Sequence, residues 1–173
     1  MGRLLDDHDA TGLAVLVRSG EVTPAELVDE AIVAIEAVDP QINAVIHRRF
    51  ERARAEAAGS LPDGPLRGLP FLLKDYAAEQ AGEPHHQGMR AARDAGWLGR
   101  ADSPLTSVFV AAGLVVVGRT NTPELAVMGT TEPAAFGPTH NPWALGRSPG
   151  GSSGASCRAA PPTRRSPCTP KAR

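Results

Sequence analysis

Apolar residues recur at helical spacing along the segment that follows Thr23, and this pattern predicts a helix. Its apolar face is formed by Leu27, Ala31, Ile35 and Val38. Thr23 can cap this helix, Pro24 suits the first helical position, and Glu26 completes a capping box. We predict that the helix stops at Asp39 and Pro40, because proline interrupts the helical hydrogen bonds.

Other segments show shorter patterns of the same kind. We predict helices over 10–19, over 50–58 and from 103 up to Gly113, with Gly20 and Gly59 ending the first two. Short apolar runs predict buried strands at 69–73 and 114–117, and 43–46 is a strand or the start of the next element.

The connections between these segments are rich in glycine and polar residues. We predict a long loop over 76–103 with a helical turn near 87–95, and a turn at 118–124 that leads into a short helix. Because helices alternate with short apolar strands, the pattern indicates an α/β architecture.

Composition adds limits to this picture. The 173 residues are 42% hydrophobic and 21% charged, with a net charge of −1, which is ordinary for a globular domain. No run of about 18 apolar residues occurs, so we expect no membrane span. The acidic N-terminus is not typical of a signal peptide, and the cytoplasm is the expected compartment. We expect no nucleic-acid partner.

The last 17 residues differ in character from the rest. Residues 157–173 contain five basic side chains, no acidic side chain and four prolines, without hydrophobic periodicity. We therefore predict a boundary after residue 156, with the N-terminal part of a domain over 1–156 and an unrelated, disordered tail over 157–173. The two cysteines, Cys157 and Cys168, lie in this segment and do not have the spacing of a metal site.

Lys74 follows the apolar run at 69–73, an unusual place for a lysine because burying an ammonium group is costly. Desolvation lowers the pKa of a lysine, and a neutral lysine can accept a proton. The alternative is a lysine that points into water at the end of a strand.

The segment 148–156, with the sequence SPGGSSGAS, also allows two interpretations. It can be a flexible linker, or a backbone in conformations that glycine permits, which presents a hydroxyl group. Residues 150–154 match the G-x-S-x-G nucleophile elbow of α/β-hydrolases. That triad needs an acid and a histidine later in the chain, whereas the last of each here are Glu132 and His140. The elbow is therefore excluded for this sequence.

The five histidines do not suggest a metal site. His85 and His86 are adjacent and would point in different directions, and the other three are isolated in the sequence. We interpret them as surface residues.

Five segments together resemble the amidase-signature family in order and spacing. They are PFLLKD at 70–75, GRTNTPE at 118–124, TTEP at 130–133, GPTHNPW at 137–143 and SPGGSSG at 148–154. The resemblance covers residues 5 to 156. It implies an incomplete amidase-signature fold, the N-terminal part of a mixed sheet flanked by helices. Within the family, the residues of these segments are most similar to those of the 6-aminohexanoate-cyclic-dimer hydrolases, which open cyclic amides.

The family uses a triad of serine, cis-serine and lysine. The resemblance implies that Lys74 is the general base and that Ser152, preceded by a cis peptide bond from Gly151, is the bridging serine. A desolvated lysine can take the proton of the nucleophile through an intermediate hydroxyl. The resemblance assigns supporting positions to four further residues: Ser153, Gly150, Gly151 and Asp75.

The family's nucleophile lies in a later turn, which also supplies backbone N–H groups to the oxyanion hole. That position would fall beyond Arg173, so the resemblance implies that the nucleophile is absent from this chain. Our hypothesis is that the residues after about Ser156 are an out-of-frame ending, because frameshifts in GC-rich DNA interconvert alanine, arginine and proline codons.

The resemblance implies an amide hydrolase that cleaves a C–N bond through an acyl-enzyme, with this chain as an inactive fragment. It implies a small-molecule amide substrate, no metal, no cofactor and no membrane partner, with a homodimer for full-length members. Two alternatives stay open. One is an amidotransferase subunit that frees ammonia from glutamine for tRNA-bound substrates, and the other is a non-catalytic remnant or binding protein whose Gly/Ser loop holds a ligand.

Overall fold

A computed structural model of the chain describes residues 4–157. Within them, six α-helices lie in this order: α1 Leu4–Asp7, α2 Ala10–Ser19, α3 Pro24–Ile42, α4 Phe50–Ala58, α5 Arg90–Asp94 and α6 Pro104–Ala111. Two short 3-10 helices follow at Glu124–Ala126 and Gly154–Cys157. No helix of the described part is long and apolar enough to cross a membrane.

Three strands form one mixed sheet. They are β1 Val45–Arg48, β2 Pro70–Lys74 and β3 Val115–Thr120, in the order β1-β3-β2. Strand β3 is antiparallel to β1 and parallel to β2. The crossover from β2 to β3 contains α5 and α6, as a parallel pair requires a long connection. The predicted α/β fold with a mixed sheet flanked by helices is confirmed.

The core is formed by the apolar faces of α3 and α4 against the sheet. One buried cluster contains Val28, Ile32, Ile35, Val45, Ala53, Ala57, Val115 and Val117. Val116 points to the other side of β3, because successive side chains of a strand alternate in direction, and it packs with Leu73 and Ala78. The middle strand is therefore covered on both faces.

The N-terminal end of α3 confirms the predicted capping box, with Thr23 accepting from Glu26 N and Glu26 accepting from Thr23 N. The predicted stop at Asp39 and Pro40 is wrong, because α3 continues to Ile42. Proline in the last turn removes only one helical hydrogen bond. The buried carboxylate of Asp39 meanwhile accepts hydrogen bonds from Ala44 N and Val45 N at 2.7 and 2.8 Å.

Strand β3 is longer than its apolar run predicts. Residues 118–120 belong to the strand rather than to the predicted turn. Gly118 permits close pairing with β1, since a Cβ atom there would lie 2.5 Å from the carbonyl oxygen of His47. The pairing buries two polar residues, Arg119 and Thr120, which no apolar pattern could identify.

The long loop after β2 is attached to α4 through a buried ion pair. Arg49 donates to Glu83 Oε1 at 2.6 Å and to Glu56 Oε1 at 2.8 Å, and Arg52 also contacts Glu83. The helical turn predicted near 87–95 is α5. The disorder predicted for the tail remains a prediction, because residues 158–173 lie outside the described part.

Candidate active site

Lys74 is the last residue of β2, where it pairs with Thr120 of β3. The next residue, Asp75, continues the contact through a hydrogen bond from its N–H to the carbonyl oxygen of Thr120, 3.1 Å long. The parallel pairing therefore fixes the backbone of Lys74 at the carboxyl end of two neighbouring strands. Ligand sites in α/β sheets commonly lie at this edge.

The side chain of Lys74 reaches the loop that carries two adjacent serines. Its Nζ donates to Ser152 Oγ and to Ser153 Oγ, each at 2.9 Å. Burial lowers the pKa of the Lys74 ammonium group. None of the ion pairs among residues 4–157 involves Lys74, so no carboxylate there opposes the shift. The structure thus brings Lys74 next to two adjacent serines that lie 78 and 79 residues further along the chain.

The backbone around Ser152 depends on two glycines. Gly150 has a φ of +94°, a left-handed conformation that favours glycine. A Cβ atom on Gly151 would lie 2.7 Å from the carbonyl group of Thr130, closer than real contacts allow. The peptide bond between Gly151 and Ser152 is cis, as the resemblance implied. Both glycines are therefore required by the local geometry.

Among the described residues, Asp75 forms no hydrogen bond with either serine, and it instead holds the loop after β2. Its fully buried carboxylate accepts hydrogen bonds from His86 N at 3.0 Å and from Gly88 N at 3.3 Å. Burial raises the pKa of Asp75 to about 6, against the opposite effect of these hydrogen bonds. Asp75 therefore acts on the backbone of this loop.

The interpretation of all histidines as surface residues is wrong for His85 and His86, which are each 5% exposed. Asp75 folds their loop inward, and His85 Nδ1 lies 3.3 Å from Arg119 Nη1. His86 stacks on Phe136 at a centroid distance of 5.8 Å. Burial lowers the pKa of both histidines. Within the described part, no cluster of three or more His, Cys, Asp or Glu residues could hold a metal ion.

Thr131 was not predicted as a site residue. It is fully buried, and its Oγ1 donates to the carbonyl oxygen of Gly150 at 2.9 Å and accepts from Gly154 N at 3.2 Å. Its segment, 130–133, is among the motifs of the resemblance, but the sequence offers no reason to prefer Thr131 to Thr130.

A sequence model of the family described as Amidase matches residues 26–159. The chain belongs to the amidase family. The family expectation drawn from the five segments is thereby confirmed.

Curated relatives of this amidase chain include two different enzymes. The 6-aminohexanoate-cyclic-dimer hydrolase of Paenarthrobacter ureafaciens is 46% identical over 149 residues, which are 86% of this chain and 30% of the relative. One subunit of the glutamyl-tRNA(Gln) amidotransferase of Salinispora arenicola is 41% identical over 162 residues, which are 90% of this chain and 32% of the relative. The chain thus spans about a third of the length of these relatives.

Solved structures agree with this membership. A structure of 6-aminohexanoate cyclic dimer hydrolase superposes with a TM-score of 0.83 at 45% identity, covering 88% of this chain and 31% of the other. A bacterial aryl acylamidase of the amidase signature enzymes family gives a TM-score of 0.79 at 32% identity, covering 88% of this chain and 33% of the other.

The arrangement in this amidase chain is suited to moving a proton between hydroxyl and amine. A neutral Lys74 amine could accept the hydroxyl proton of Ser152 across the 2.9 Å contact. Among residues 4–157, Lys74 is the one side chain that hydrogen-bonds Ser152 Oγ. The hydroxyl therefore keeps the capacity to accept a proton from a further group.

Proposed function

We propose that this chain carries the general base and the relay hydroxyl of an amide-hydrolysing site. The observation that supports the proposal is the pair of 2.9 Å hydrogen bonds from Lys74 Nζ to Ser152 and Ser153. The lowered pKa of Lys74 increases the fraction of neutral amine, which is the form that can accept a proton.

The proposed reaction hydrolyses an amide C–N bond through an acyl-enzyme. A nucleophilic hydroxyl attacks the carbonyl carbon and gives its proton to Ser152 Oγ, while the proton of Ser152 passes to Lys74 Nζ. The same path returns one proton to the leaving nitrogen as the C–N bond breaks. Water then cleaves the acyl ester and restores the nucleophile.

Among residues 4–157, no other hydroxyl group hydrogen-bonds Ser152 Oγ, and we therefore place the nucleophile of this scheme outside them. We infer that the 173-residue chain alone does not turn over substrate. Members of a catalytic group act as a unit, and loss of one removes most of the rate enhancement.

We propose a small cyclic amide as substrate, and the 6-aminohexanoate cyclic dimer as the first compound to test. The support is the 46% identity to the hydrolase of Paenarthrobacter ureafaciens that is named for this substrate. Glutamine hydrolysis is the second candidate, supported by the 41% identity to the amidotransferase subunit of Salinispora arenicola.

A chimera tests the roles of the two residues. Residues 1–156 replace the matching segment of the Paenarthrobacter ureafaciens hydrolase, and hydrolysis of the cyclic dimer and release of ammonia from glutamine are measured. We expect turnover of the dimer, loss of that turnover in the Lys74→Ala and Ser152→Ala variants, and no loss in the control Arg18→Ala, which lies on the exposed side of α2.

The chain alone is assayed in parallel. Turnover by the 173 residues would contradict the inactive-fragment proposal. A chimera that hydrolyses the dimer equally well without Lys74 would contradict the relay proposal, and a chimera that folds and cleaves neither substrate would favour the non-catalytic alternative.

A further inference from the structure

The hydroxyl of Thr131 connects the two ends of the segment that carries Ser152. Its Oγ1 donates to the carbonyl oxygen of Gly150, two residues before Ser152, and accepts from the N–H of Gly154, two residues after it. Thr131 has no exposed surface. One buried hydroxyl thus uses both its donor and an acceptor position to close the loop.

The backbone of the loop packs directly against Thr131 and its neighbour. A Cβ atom on Gly154 would lie 2.7 Å from Thr131 Oγ1, and a Cβ atom on Gly151 would lie 2.7 Å from the carbonyl carbon of Thr130. Both glycines therefore permit an approach that any side chain would prevent. Between these two contacts, Ser152 and Ser153 face Lys74 Nζ.

Thr131 is itself attached to the rigid part of the fold. Its carbonyl oxygen accepts from Thr139 N at 2.9 Å. Thr139 Oγ1 donates to the carbonyl oxygen of Asn43, at the end of α3, at 2.8 Å and accepts from Asn121 Nδ2, just after β3, at 3.0 Å. The hydroxyl is therefore fixed relative to the strands that place Lys74.

We propose that Thr131 is a positioning residue that holds the Ser152 hydroxyl against Lys74 by bridging Gly150 and Gly154. The effect of this positioning on catalysis rests on the proposed function, whereas its effect on the distance between Ser152 and Lys74 does not. Thr131 Oγ1 bonds to the backbone of Gly150 and Gly154 rather than to Lys74 or the hydroxyl of Ser152, so its effect on them passes through the loop backbone.

The experiment compares Thr131→Val, which removes the hydroxyl at nearly constant shape, with Thr131→Ser, which keeps it. Thr106→Val is the matched control, because Thr106 is equally buried and hydrogen-bonded but lies in α6. The readout is the nuclear Overhauser contact between the Lys74 ε-protons and the Ser152 β-protons in the 173-residue chain. The chain has only two lysines, Lys74 and Lys171, so the lysine signals are readily assigned.

We expect the contact to be lost in Thr131→Val and retained in Thr131→Ser and Thr106→Val. A folded Thr131→Val chain that keeps the contact would overturn the proposal, and so would loss of the contact in Thr131→Ser. A purely structural role would lower stability without separating the valine and serine variants in this readout.

A second measurement covers the case in which Thr131→Val does not fold. In the unaltered chain, the Gly154 amide should exchange its hydrogen slowly, and exchange at the rate of a free amide would overturn the proposal. Neither the NMR contact nor the amide exchange tests the proposed function, whose failure has a different signature. It would appear as Lys74-independent turnover in the chimera and would leave the contact pattern unchanged.

Discussion

The two halves of β3 are both buried but are stabilised in different ways. Val115, Val116 and Val117 pack against apolar side chains on both faces of the sheet. In the second half, Arg119 and Thr120 are 1% and 2% exposed, and Arg119 approaches the carbonyl oxygen of Lys74 and the ring of His85. The first half forms core and the second half forms the base of the candidate site.

A substitution has a different consequence in each half of β3. Apolar packing is non-directional, so a truncated side chain loses contact area and leaves a cavity. Buried polar groups act through direction and protonation, so their removal changes pH dependence and leaves neighbouring groups without partners.

The largest loss of stability is expected in the apolar half. Ile32 is fully buried against Val115 and Val117, and Ile32→Ala should lower the free energy of unfolding by about 2 to 5 kcal/mol. Val33→Ala, on the 55% exposed neighbour, is the control and should have little effect. Urea denaturation measures both, and equal losses would contradict the assignment of this core.

His47 of β1, which pairs with Arg119 in the polar half of β3, should make the protein sensitive to acid. Burial, with smaller effects of His86 and Arg119, lowers the pKa of His47 from 6.5 to about 4, and Glu83 opposes the shift. The unfolded chain therefore binds an extra proton between these values, and stability is lost as the pH falls from 6.5 towards 4.

His47→Gln removes this titration. The difference in unfolding free energy between the unaltered chain and the variant should shift by up to about 3 kcal/mol between pH 7.5 and pH 4, and less where water screens the ring. Asp75, whose pKa is raised, titrates in the opposite direction but is present in both proteins. A pH-independent difference would contradict the burial of a neutral His47.

A smaller loss of stability is expected when the buried carboxylate of Asp39, which lies away from the candidate site, is removed. Asp39→Ala leaves the N–H groups of Ala44 and Val45 without their acceptor, and should lower the unfolding free energy by about 1 to 3 kcal/mol. Glu36→Ala, at an exposed position of the same helix, is the control for helix propensity. If both variants unfold at the same urea concentration, Asp39 does not stabilise the entry to β1.

Local patterns were sufficient for the elements that local interactions determine. The capping box of Thr23 and Glu26, the helix over 50–58 and the strand before Lys74 all follow from neighbouring residues. The buried histidines and Thr131 could not be predicted in this way. Their burial depends on contacts between distant segments, such as the bond between Thr131 and Gly154, which are 23 residues apart.

The pairing of Lys74 with Ser152 has the same origin, since 78 residues separate them. Neither residue has a local signal that distinguishes a relay from a surface lysine and a flexible linker. The resemblance to a family placed them in one site, because ordered motifs carry information about contacts that a single segment does not.

We interpret Lys74 as a partly desolvated amine held by the hydroxyl groups of Ser152 and Ser153. A titration of the lysine Cε signals by NMR tests it directly, with Lys171→Arg to assign the two signals. We predict that Lys74 in the folded chain titrates below the ordinary lysine value of about 10.4 and returns to it in urea. Titration of the folded chain at the ordinary value would contradict the assignment of Lys74 as the base.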